Sequence, residues 1–72
     1  MRAYSELFHC FYEMEDCILI PNMKQNFKYL NSGKVGDLLM DIICGSDGRL
    51  VFVWQKAPAL KELYLLWCDR QL

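Results

Sequence analysis

The chain has 72 residues, of which 54% belong to AVILMFWYC and 14% are aromatic, with eight Lys and Arg against nine Asp and Glu. Such a length allows one core, the apolar content excludes disorder, and a net charge of −1 excludes a global field drawing the protein onto nucleic acid or anionic lipid. A domain this small buries only roughly 60 to 65% of its unfolded surface, so a disulfide, a metal or a partner is the usual reinforcement, and the surplus apolar side chains point to an interface.

The first segment, YSELFHCFYEMED, places Leu7, Cys10, Phe11 and Met14 at i, i+3, i+4 and i+7 behind Ser5 as an N-cap, which predicts a helix. Phe8 and Tyr12 fall beside that stripe, and His9 and Glu13 form a solvent-facing i, i+4 pair. CILIP follows as a short strand, suited to a sheet edge because proline ends it. A second strand is expected at 26–30, closed by an Asn-Ser-Gly turn.

The stretch VGDLLMDIIC fits two patterns. Val35, Leu38, Leu39, Ile42 and Ile43 make a helical face with Gly45 as its cap, whereas Leu38, Met40, Ile42 and Cys44 make a strand face leading through Gly-Ser-Asp-Gly into a hairpin. Leu-Leu-Met tips the expectation to the helix. RLVFVWQ is apolar on both faces and reads as a central strand or one covered on both sides. Pro58 then opens a C-terminal amphipathic helix with Leu60, Leu63, Tyr64 and Trp67 inward. The expected fold is a small single α+β domain over residues 1–72, with an N-terminal helix, a small antiparallel or mixed sheet and a C-terminal amphipathic helix.

KVGDLLMDIICGSDGRLVFVW locally resembles the helix, loop and strand of ubiquitin-like sulfur carriers, over less than a third of the chain. Those carriers finish in Gly-Gly for thioester or thiocarboxylate chemistry; residues 69–72 here read Asp-Arg-Gln-Leu, so no family follows.

Chemistry is sparse. The four cysteines, Cys10, Cys17, Cys44 and Cys68, show neither Cys-x-x-Cys nor a repeated spacing, so small core hydrophobes are expected rather than metal ligands. One histidine and no phosphate loop leave no catalytic constellation, and no cofactor or metal is expected. No apolar run reaches the roughly 18 residues of a spanning helix, and Glu6, His9, Glu13 and Glu15 interrupt the place of a signal peptide, so a cytoplasmic protein is expected.

The functional expectation is a non-enzymatic protein-binding module: an inhibitor, adaptor or regulatory protein of the kind phage and mobile elements encode, with another protein or a second copy as partner. Leu65 and Leu72 stand a heptad apart on the last helix beside Lys61 and Asp69, and Phe8 and Tyr12 add apolar surface from the first. The alternative is a weak nucleic-acid-binding regulator that uses Lys24, Phe27, Lys28 and Tyr29 as a basic and aromatic segment.

Overall fold

The computed structural model describes all 72 residues. In chain order it contains β1 (Arg2–Ser5), β2 (Cys10–Glu13), β3 (Cys17–Ile20), α1 (Met23–Asn31), β4 (Leu39–Cys44), β5 (Leu50–Gln55) and α2 (Pro58–Cys68), with short 3-10 turns at Met14–Asp16 and Gly36–Leu38. β1 and β2 form an antiparallel hairpin, and a second antiparallel sheet has the order β3-β5-β4. The α+β class, the edge strand at CILI, the central RLVFVWQ strand and the helix opening at Pro58 are present as expected.

β5 is apolar on both faces because both faces are covered. Phe52 and Trp54, with Ile18 and Ile20 of β3, look to the side where α1 and α2 bring Tyr29, Leu60 and Leu63. Val53 and Cys17 look to the other side, where the hairpin brings Tyr12 and Ala3. The two small cores share β5 as their common wall. Tyr29 and Trp54 meet edge to face at 5.6 Å, a geometry worth about 0.5–1.5 kcal/mol beyond the area it buries.

The first helix of the fold lies at Met23–Asn31 and not at 5–16. In residues 2–13, Ala3 pairs with Tyr12 and Ser5 with Cys10 on the inner face, while Tyr4 pairs with Phe11 on the outer face. Tyr, Phe and Cys are poor helix formers and fit a half-buried pleat, so this alternation prevails over the helical spacing. Ser5 does act as a cap, but of the hairpin turn: its Oγ accepts from the Phe8 N–H at 3.1 Å. His9 closes that turn with φ 55°, in the left-handed region where histidine is comparatively frequent. It sits 3.5 Å from the Tyr4 hydroxyl, and the expected His9–Glu13 helical pair does not form.

Residues 26–30, expected as a strand, belong to α1. Asn22 caps the helix, its side chain accepting from the Gln25 N–H at 3.1 Å. The helix buries Gln25, Asn26 and Tyr29, a mostly polar set, so hydrophobic periodicity has little to display. Asn26 is fully buried and joins three elements: it donates to the Ile20 carbonyl at 3.0 Å and accepts from Trp54 Nε1 at 2.8 Å.

Residues 39–44, expected as a helix, form β4 and the hairpin with β5. A register shift between Leu39 and Asp41 interrupts the period of two: Leu39 and Ile42 join the helix-side core, Met40 and Ile43 the hairpin side. A bulge of this kind reproduces part of a helical spacing. With a strand where the sulfur carriers have a helix, the local resemblance to them ends.

α2 stops at Cys68 in a Schellman turn. The Gln71 N–H donates to the Leu66 carbonyl at 2.8 Å, the Arg70 N–H to the Trp67 carbonyl at 3.1 Å, and Arg70 has φ 58°. Leu72 is thereby folded back onto the helix-side core.

Candidate docking groove

A concavity of about 1000 Å³ runs between β3 and the first half of α2. Ile18, Leu19 and Ile20 form one wall, Pro58, Lys61 and Tyr64 the other, and no carboxylate lines it. Leu19 is 46% exposed, a high value for a leucine in a sheet strand, and Tyr64 is exposed as well. Both cationic side chains in the lining, Lys56 and Lys61, are exposed and without an ion-pair partner; Lys56 Nζ donates to the Glu15 carbonyl at 3.2 Å.

Backbone geometry adds to this groove. The Lys56 N–H donates to the Asp16 carbonyl at 2.8 Å, and the Gly45 N–H to the Arg49 carbonyl at 2.7 Å. Antiparallel pairs alternate between exchanging and not exchanging hydrogen bonds. With the registers Ile18↔Trp54 and Ile43↔Val51, the even-numbered residues of β5 therefore bond toward β3 and the odd-numbered ones toward β4. Ile18 and Ile20 face β5, while Cys17 and Leu19 turn their backbone groups outward. The Cys17 N–H is taken by the Met14 carbonyl, which leaves the Leu19 N–H, the Leu19 C=O and the Cys17 C=O along an open edge.

The opposite edge of the sheet, β4, is closed differently. The Ile42 N–H, which the same alternation points outward, donates to the Asp41 carboxylate at 2.9 Å. Asp41 is 4% exposed and also accepts from Ser5 Oγ at 3.1 Å and Tyr12 Oη at 3.0 Å, which fastens the hairpin to β4. A bulge and an inward carboxylate are ordinary ways of blunting a strand edge. Burial, then the hydrogen bond and charge of Asp41, push the Tyr12 phenol up to about 12.

The expected binding residues are dispersed. Lys61 lies in the groove and Leu65, 53% exposed, on the outer side of α2. Leu72 does not share a helical face with Leu65, because the chain reverses at Arg70, and Tyr12 is buried as a donor to Asp41. Phe8 is exposed at the hairpin turn, and Asp69 terminates α2. Lys24 and Lys28 are exposed one turn apart on α1, Phe27 is exposed too, and Tyr29 is wholly buried. Three residues that line the groove, Leu19, Lys56 and Tyr64, lie outside the set the sequence suggests: the edge strand itself is the signal for Leu19, and the spacing of α2 assigns Tyr64 to the inward stripe.

Comparison with protein-family models, curated proteins and solved structures found no match to the chain.

All four cysteines are free: Cys17 is buried, Cys10 half-buried, and Cys44 and Cys68 exposed, so two of them are not the core residues expected. No group of three or more His, Cys, Asp or Glu side chains is placed to hold a metal ion. No helix is long and apolar enough to cross a membrane.

Proposed function

We propose that the chain is a non-enzymatic protein-binding module that docks an unlike protein in the groove between β3 and α2, with Leu19, Lys61 and Tyr64 as its contact residues. The observation that carries this reading is the coincidence of this concavity with an open strand edge, an exposed leucine and two lysines without an ion-pair partner. Concave sites with apolar walls and a few well-placed polar groups are the usual places where ligands bind, and an open strand edge beside one suits an extended polypeptide. The outer face of the hairpin is a weaker candidate, since Tyr4 and Phe11 pack on each other at 5.0 Å and Arg2 covers the Phe11 ring at 4.3 Å.

A photo-crosslinking residue at position 64, compared with one at position 27 on α1, tests the assignment in a cell extract. The expected result is a discrete cross-linked protein from position 64 and none from position 27. Adducts from position 27 alone, or the same adducts from both, would overturn it.

A second reading has one observation in its favour. A smaller concavity of about 530 Å³ gathers Lys24, Lys28 and Arg70 beside Trp67, and no carboxylate lines it. Three cations would neutralise about three phosphates, so this nucleic-acid reading predicts affinity for single strands that falls steeply with salt. No binding at low salt removes it.

A further inference from the structure

We infer that the occupant of the groove is an extended segment of the partner, rich in acidic residues, that adds to β3 as a fourth strand of the sheet. The inference rests on the reading of the groove as a docking site and names the chemistry of what docks there.

Three observations converge. The first is the open edge: the Leu19 N–H and C=O and the Cys17 C=O point away from β5 and have no partner outside the sheet. A strand laid alongside would satisfy them with main-chain hydrogen bonds that carry affinity whatever its sequence. The second is the shape of the neighbouring surface. Side chains of an added strand alternate between the two sheet faces. Those on the helix side would enter the groove against Ile18, Leu60 and Tyr64; those on the other side would lie beside Leu19. The third is charge. Lys56 and Lys61 flank the groove with no carboxylate in its lining: Glu15 and Asp16 precede β3, and Glu62, next to Lys61 in sequence, does not line the groove. Carboxylates on the incoming strand complement both lysines and assist its approach.

The extent of pairing is limited by the same backbone. Pro21 follows β3 and has no N–H, and the Cys17 N–H is already bound to Met14. Only a short register centred on Leu19 is available, so the side chains in the groove must supply the remainder of the affinity. A second copy of the chain is a poor occupant: pairing β3 with itself about Leu19 sets Cys17 opposite Pro21, whose missing N–H cannot meet the Cys17 carbonyl.

The test is a titration of the isotope-labelled full chain with a short peptide of alternating valine and glutamate, followed by backbone NMR. Two comparison peptides carry lysine for glutamate, or N-methyl groups on alternate amides. The inference expects the Leu19 amide to shift and its hydrogen exchange to slow by about tenfold or more at saturation. It expects the lysine peptide to bind about tenfold more weakly, the N-methylated peptide not to bind on the methylated edge, and K56E/K61E to reverse the charge preference. These lysines are exposed, so the double variant keeps its fold, which its unperturbed core resonances verify. Shifts on α2 with an unchanged Leu19 amide would overturn strand addition while leaving the docking groove standing. Indifference to peptide charge would overturn the acidic partner, and no binding by any peptide would overturn the inference as a whole. Cross-linking from position 64 decides the docking reading separately.

Discussion

Asp41 shows how one side chain can determine the position of a whole hairpin. Its carboxylate takes the Ser5 hydroxyl, the Tyr12 hydroxyl and the Ile42 N–H, and no cation neutralises it. Removing an acceptor from buried donors costs more than the bonds themselves contribute. Asp41→Ala should therefore lower stability by about 3 kcal/mol in urea unfolding, against a total of roughly 4–10 kcal/mol for a chain of this length. A loss below about 1 kcal/mol would mean that the network is not formed. Tyr12 makes a second prediction, in alkali. Its folded pKa of about 12 lies above the ordinary 10, so the folded form keeps a proton that the unfolded form gives up. The stability linked to that proton is complete below pH 10 and is lost as pH rises from about 10 to 12. The Cys17 thiol, raised by burial and by Asp16 against an opposing Lys56, adds a loss of the same sign that begins nearer pH 9. Unfolding followed between pH 9 and 12 should show this decline, and Tyr12→Phe should flatten its upper part.

At the scale of elements, legibility depended on whether local chemistry and tertiary environment agreed. RLVFVWQ and the Pro58 helix were readable because β-branched residues in one and a leucine stripe in the other match the surroundings they receive. The α1 helix was missed because its inward face is Gln25, Asn26 and Tyr29, although Asn22 with Gln25 three residues on is the start signal of a capping box. β4 was misread because its bulge mimics helical spacing, and the N-terminal hairpin because Ser5 caps a turn as it would a helix. The end of α2 was illegible for a different reason: Arg70 holds a left-handed position that glycine normally fills. That position gives a prediction. Arg70→Gly relieves a cost of about 1 kcal/mol, partly offset by glycine's greater unfolded-state freedom. The variant should melt a few degrees higher, at roughly 4–8 °C per kcal/mol for a domain of this size. Unchanged or lower melting would show that the turn carries no such strain.

For the whole molecule, the division of labour follows from a sheet with two different edges. β4 is blunted by its bulge and by Asp41, while β3 keeps backbone groups unpaired beside a groove with apolar walls and two lysines. The surplus of apolar residues that composition foretold is present, but it is spread over the hairpin's outer face, the outer side of α2 and the groove, and composition cannot say which of these is concave. Of the residues the sequence suggested, Lys61 lines the groove and Leu65 is exposed on the outer side of α2, whereas Tyr12 and Leu72 serve the interior. An edge strand was foreseen at 17–20; that its edge is open could be learned only from the register.

The most direct test is amide hydrogen exchange of the free protein, read residue by residue along β3. The account predicts that the Leu19 amide exchanges as a solvent-exposed group while the Ile18 and Ile20 amides, bonded to β5, exchange far more slowly. Protection of Leu19 equal to that of its two neighbours would contradict it, because the edge on which docking depends would then already be closed.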